Sequence, residues 1–205
     1  MNEGLPRLHA ITDERIARRG DLDVTTTAIA AGAPGRVAVH ARGRTLSGRE
    51  HFTLAQRLGA AAGAVLFVND RLDIAVVTGA RGVQLGNAGL ATADARRIGR
   101  DWWIGRSVHS LAEGRAATDE RPDYLLVGPV FATPTHPEAI PLGLEGLAPI
   151  VALGLPVIAI GGITVDRAGA LRAAGVYGVA AIRALWDARD PAAVTRSFLQ
   201  VLETR

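Results

Sequence analysis

The run Val157-Ile158-Ala159-Ile160-Gly161-Gly162-Ile163-Thr164 carries the plainest chemistry in the chain. A buried-strand pattern leads into two glycines, and a helical pattern begins directly after Thr164. Glycine lets a backbone approach a ligand closely, and amides at a helix start point at an anion. The segment therefore reads as a phosphate cradle, against the plainer alternative of a tight turn that needs glycine for backbone reasons alone. One unit later, Ala180-Ala181-Ile182-Arg183 ends the next strand and completes the pair. Other reactive groups are few. Histidine, the ordinary acid/base near neutral pH, occurs as His9, His40, His51, His109 and His136. Cysteine is absent, which excludes disulfides, thiolate metal sites and cysteine nucleophiles. All 23 basic residues are arginine, so no lysine Schiff base can form.

Positioning these groups falls to a regular alternation of short apolar, β-branched runs and amphipathic stretches, the pattern of parallel strands with crossover helices. Strands are expected at Arg7–Thr12, Arg36–His40, Ala64–Asn69 and Val83–Gly86, then at Trp102–Val108, Tyr124–Val130, Pro156–Ile160 and Gly178–Leu185. Ser47 with Glu50 has capping-box spacing for a helix running to about Ala62. Thr164 can cap a helix stopped by Gly175, and Asp190-Pro191 opens the last one. Eight such units predict one (β/α)8 TIM barrel spanning residues 1–205, with an open doubly wound sheet as the rival. In a barrel of this kind the chemistry sits on the loops after the strands, and strands seven and eight often share a phosphate pocket.

With 205 residues and 48% hydrophobic content, the chain has the size and composition of one soluble domain. The sequence lacks an apolar run long enough for a membrane span and a signal-peptide pattern, so a cytoplasmic protein with no membrane contact is expected. The formal net charge is +3, and the arginines are scattered rather than striped, which argues against a nucleic-acid surface. A homo-oligomer is compatible with this sequence.

Over nearly its full length the chain resembles the thiamine-phosphate synthase and TenI-type thiazole tautomerase superfamily. The landmarks are Leu8-His9-Ala10-Ile11-Thr12-Asp13, Val68-Asn69-Asp70-Arg71, Gly82-Val83-Gln84-Leu85-Gly86, Ile104-Gly105-Arg106-Ser107-Val108-His109, Asp123 to Phe131, and the glycine turn at Gly161 to Ile163. The resemblance implies the barrel and a turn that holds a thiazole phosphate. It also separates two activities. The synthases join a pyrimidine pyrophosphate to a thiazole phosphate with magnesium, and resemble one another in a Gln-x-Arg-x-Lys pattern after strand two. This chain has Ala38, His40 and Arg42 there, Gly89 where a second magnesium-binding Asp is expected beside Asp70, and Thr135-His136 in place of Thr-Lys. The tautomerases need neither metal nor pyrophosphate grip.

On this footing the chain is expected to be a TenI-like tautomerase with no cofactor and no bound metal, acting on a thiazole phosphate carboxylate. The alternatives are a synthase, for which magnesium would be required, and a non-catalytic phosphate-binding barrel. His136 takes the acid/base role, with His40 second. The tautomerases place their histidine directly after the glycine ending strand six, where this chain has Pro129. Gly161, Gly162, Ala181, Ile182, Arg183, Arg42, Asn69, Gln84, Ser107 and Gly143 are assigned to substrate and phosphate binding. Arg42 can meet a carboxylate with two hydrogen bonds or stand as a rim charge. Arg183 stands where relatives often have serine, and can contact phosphate or turn outward. Asp70 is read as structural without a metal, His9 as barrel packing, His51 as surface, and His109 as a capping neighbour.

Overall fold

Eight short apolar runs form eight parallel strands, and their hydrogen bonds close in sequence order from β1 to β8 and back to β1. The computed structural model describes residues 4–135 and 137–204. Its first elements are β1 (Leu8–Ile11), α1 (Glu14–Ala17), α2 (Leu22–Ala31), β2 (Val37–Ala41), α3 (Gly48–Gly59) and β3 (Ala64–Asn69). There follow α4 (Leu72–Thr78), β4 (Gly82–Leu85), α5 (Thr92–Ile98), β5 (Trp103–Val108), α6 (Leu111–Asp119) and β6 (Tyr124–Val127). The last are α7 (Gly143–Val151), β7 (Val157–Ile160), α8 (Val165–Ala173), β8 (Gly178–Ala181), α9 (Arg183–Trp186) and α10 (Pro191–Glu203). This is the (β/α)8 barrel, closed by the register Leu8↔Val179, His9↔Ala180 and Ala10↔Ala181. Among the described residues no helix is long and apolar enough to cross a membrane.

Local chemistry explains most boundaries. Ser47 accepts from Glu50 N while the Glu50 carboxylate accepts from Ser47 N, so the capping box is complete. The Asp190 side chain accepts from Ala193 N, and Pro191 costs the helix nothing at a position whose N–H has no partner anyway. Thr164 sits at the N-cap of α8 in an extended conformation, yet its side chain makes no capping bond. Two expected strands run too long. β6 ends at Val127 because Pro129 has no N–H to give a ladder, although Val130 N still donates to Ile160 O at 2.8 Å. β8 ends at Ala181 because the apolar run curls into α9, which buries Leu185 and Trp186.

Packing separates into two shells. Outward-facing strand residues such as Val37, Val39, Val83 and Ile104 pack under the helices in the larger cluster, which also takes in Phe198 and Trp186. A smaller cluster fills the barrel itself with Ala38, Phe67, Tyr124, Leu126, Ile158 and Ala180. Three large members of this inner layer face glycines on an adjacent strand, in register: Phe67↔Gly82, Tyr124↔Gly105 and Ile158↔Gly178. A Cβ at Gly82 would come within 2.3 Å of the Phe67 ring, and one at Gly105 within 2.2 Å of the Tyr124 ring. The alternation lets full-sized rings close the centre, each contributing roughly 1.5–3 kcal/mol by leaving water.

Candidate active site

At the C-terminal ends of the strands opens a cavity of about 960 Å³, the face on which barrels of this type work. The glycine turn forms one side of it. Gly161 and Gly162 have φ of +100° and +64°, which residues with side chains rarely adopt. Close packing demands glycine as well: a Cβ at Gly161 would lie 2.6 Å from Pro129 Cα, and one at Gly162 2.6 Å from Ala132 O. The turn is thus wedged against the loop after β6, with Phe131 N donating to Gly161 O at 3.0 Å. Among the described residues the N–H groups of Gly162 and Ile163 donate to nothing, and the uncapped start of α8 follows. Ala181, Ile182 and Arg183 line the facing side at the start of α9. Arg167 overhangs the turn, donating to Gly162 O at 2.6 Å with its guanidinium 4.7 Å from the centre of the Phe131 ring. Free amides, with Arg167 and Arg183 close by, give this corner of the cavity the donors that a monophosphate-sized anion would need.

A second cationic cluster stands across the cavity. Thr12 holds the end of β2: its Oγ1 accepts from Arg42 N at 2.9 Å. The Glu14 carboxylate accepts from the amides of Arg44 and Thr45, fixing the short excursion that carries Arg44. Arg42, Arg44 and Arg71 all line the cavity. The Arg42 guanidinium makes no hydrogen bond among the described residues. Burial and then the neighbouring Arg44 lower its pKa, against the pull of Glu14, Asp13 and Asp70. An anion placed there would relieve both.

Asp70 lies beside this cluster, in the left-handed region at φ 59°, with its Oδ1 accepting from Gly86 N at 2.8 Å. A Cβ at Gly89 would stand 3.3 Å from that same Oδ1. The two positions are therefore adjacent, with a carboxylate at 70 and no side chain at 89. Among the described residues no group of three or more His, Cys, Asp or Glu could hold a metal by itself. Asp70 with phosphate oxygens matches the usual magnesium pattern of one or two carboxylates completed by substrate. The residues present fit an ion held chiefly by its ligand.

The remaining assigned residues divide sharply. Asn69 and Ser107 line the cavity. Gln84 lies fully buried behind Ser107, donating to its Oγ at 3.0 Å. Gly143 lies outside the cavity wall and serves the backbone, with φ +63° and its N–H on Val130 O. His136 lies outside the described residues. His40 does not face the mouth: it is fully buried inside the barrel, between His9 and Asn69. An inward position on a central strand buries it, and the sequence offers no sign of how deep the mouth begins. His51 is not on the surface either; it is 5% exposed, contacts Ala41 O at 2.8 Å and reaches the cavity. His109 pairs with Glu113 at 3.0 Å at the start of α6, as a capping neighbour would. The reading from sequence missed Arg44, Arg71 and Arg167. Arg71 was visible as the residue after Asn69-Asp70, whereas nothing local marked Arg44 or Arg167.

Comparison with known proteins agrees with this geometry. Residues 8–185 match the family model TMP-TENI, described as thiamine monophosphate synthase. The thiamine-phosphate synthase of Methanoculleus marisnigri is 40% identical over 198 residues, covering 93% of this chain and 92% of its own. The thiamine biosynthesis bifunctional protein ThiM/ThiE of Symbiobacterium thermophilum is 46% identical over 140 residues. That match takes in 67% of this chain and 29% of the bifunctional protein, so the chain spans under a third of that relative's length. Among solved structures, thiamine phosphate pyrophosphorylase from Pyrococcus furiosus superposes with a TM-score of 0.81 at 32% identity, covering 96% of this chain and 95% of that one. Barrel, glycine turn and aligned sequence coincide over residues 8–185, and the chain belongs to the thiamine monophosphate synthase family.

Proposed function

We propose that the chain is a thiamine-phosphate synthase, joining a pyrimidine pyrophosphate to a thiazole phosphate. The observation that carries this reading is one cavity with two separate cationic poles. The Gly161-Gly162 turn with Arg167 and Arg183 suits a monophosphate on backbone amides. Arg42 and Arg44 near Asp70, with Arg71 on the same wall but paired to Asp73, suit a more heavily charged group. A tautomerase acting on a thiazole carboxylate phosphate would need the first pole and one cation for the carboxylate, less charge than the second pole supplies. The names of the full-length relatives support the same choice.

Joining the halves makes a bond to the carbon that carried the pyrophosphate, and the electron pair of the broken carbon–oxygen bond leaves with pyrophosphate. Arg42 and its neighbours would stabilise the charge growing on that leaving group, the electrostatic contribution that usually dominates such sites. Magnesium, when bound, would add to this neutralisation, with Asp70 as its protein carboxylate. The glycine turn would fix the thiazole half so that both reacting atoms share one face of the cavity.

Purified protein given both phosphorylated halves should release thiamine phosphate and pyrophosphate in equal amounts, dependent on magnesium. Gly89, which leaves Asp70 without a second carboxylate, favours one other reading: a metal-independent thiazole tautomerase with His136 as acid/base. No condensation product, together with metal-free tautomerisation of the thiazole carboxylate phosphate, would replace the synthase by that enzyme.

A further inference from the structure

Behind Asn69 lies a run of hydrogen bonds that the coupling does not use. His9 Nε2 is 2.9 Å from Pro6 O, His9 Nδ1 is 2.8 Å from His40 Nε2, and His40 Nδ1 is 3.1 Å from Asn69 Oδ1. Both rings are fully buried. His40 stacks on Phe67 at 4.9 Å between centroids, and His9 lies 5.5 Å from the Tyr124 ring. Among the described residues neither ring bonds a carboxylate.

The protons can be counted. A carbonyl oxygen only accepts, so His9 Nε2 carries a hydrogen. Were the Asn69 oxygen turned to His40, His40 Nδ1 would carry one too. The contact between the two remaining ring nitrogens would then need a third proton, and the pair would be a cation. Burial opposes this: it pushes His9 down to about 4 and drives His40 well below its ordinary value. A neutral pair has two ring protons, and one arrangement satisfies every contact. His9 Nε2–H donates to Pro6 O, His40 Nε2–H donates to His9 Nδ1, and the Asn69 NH2 donates to His40 Nδ1. An amide exchanges its oxygen and nitrogen by a half-turn with no change of shape.

We infer that His9 and His40 are positioning residues, which hold the Asn69 amide with its NH2 inward and its carbonyl oxygen toward the cavity. Asn69 lines that cavity, and its outward amide atom has no partner among the described residues. The ligand group seated there is one that donates, an amine or a hydroxyl. An edge that only accepts would leave two oxygens or ring nitrogens facing each other and is rejected. The proton arrangement holds whatever reaction the cavity hosts; its effect on a pyrimidine pyrophosphate rests on the synthase reading.

Long-range ¹H–¹⁵N correlation of the histidine rings in the ligand-free protein at neutral pH should show both His9 and His40 as neutral Nε2–H tautomers. A hydrogen on His40 Nδ1, or a shared third proton, overturns the assignment. In Asn69→Asp the new carboxylate cannot donate, so His40 should gain a hydrogen on Nδ1 while keeping Nε2–H, its charge offset by the carboxylate; an unchanged neutral Nε2–H ring overturns it equally. In His40→Phe the stacked ring stays but the amide is released. The KM for pyrimidine pyrophosphate should rise about tenfold, the worth of one oriented hydrogen bond, while kcat and the KM for thiazole phosphate hold. Equal changes in both KM values, or none, would reduce the pair to packing. Failure of the wild type to condense the two halves would sink the synthase reading and leave the ring tautomers standing as measured.

Discussion

Asp70 is gripped by the Gly86 amide on one side and faces Gly89 on the other. Gly89→Asp should place a second carboxylate beside Asp70, and under the synthase proposal the magnesium concentration for half-maximal condensation should fall by about tenfold, since charge count sets affinity at oxygen-ligand sites. A Cβ at this position would stand 3.1 Å from Gly86 O, so the turn must give slightly. No shift in the magnesium requirement would separate Asp70 from metal binding. The buried histidines give a second prediction at this scale. Their folded pKa values are depressed, so above the unfolded value of about 6.5 both states are neutral and no penalty arises. Below it the unfolded chain binds protons that the native state refuses, and stability falls as the pH drops toward about 4. His9 alone accounts for on the order of 3 kcal/mol over that window. Urea midpoints measured between pH 7 and 4 should fall less steeply in a His9→Phe, His40→Phe double variant. Residues are where the sequence was least legible. Strand alternation says that His40 points to one face of the sheet; it does not say that this face is the sealed centre of a barrel. The landmark Val68-Asn69-Asp70-Arg71 marked its positions by spacing, whereas Arg44 and Arg167 reach the cavity only because the loops and helices around them fold that way.

The Gly161-Gly162 turn shows what an element can disclose. Its strand, two glycines and helix start were all visible in the chain, and so was the adjoining strand end. The stricter cause of the glycines was hidden, because the atoms they avoid belong to Pro129 and Ala132 on another element. Gly161→Ala should therefore act twice. The left-handed φ and the Pro129 contact should cost about 1–3 kcal/mol of stability, seen as a lower denaturation midpoint, and the KM for thiazole phosphate should rise because the amides move. A variant of full stability whose thiazole phosphate KM is unchanged would remove the turn from the binding site. Helix starts marked by side-chain chemistry, at Ser47 and Asp190, were legible for the same local reason. Strand ends were not: β6 and β8 stop where proline and a one-turn helix intervene.

For the whole molecule, the closed ladder from β1 to β8 means that no strand can leave without breaking two pairings. Unfolding followed by far-ultraviolet circular dichroism and by tryptophan emission, to which buried Trp186 contributes, should give one coincident transition. Two separated transitions would contradict a single domain. The eightfold alternation announced the barrel, since parallel neighbours need crossovers and eight units suffice to close. It did not announce how the centre is filled. That centre rests on matched partners across strands: Phe67 with Gly82, Tyr124 with Gly105, Ile158 with Gly178. None of the six can change size alone without a clash or a hole. Only at Gly82 is the missing Cβ crowded by its partner's ring alone, so there a larger residue could cross to the neighbouring strand if a smaller one took the place of Phe67; at Gly178 the backbone oxygen of Arg7 bars the exchange.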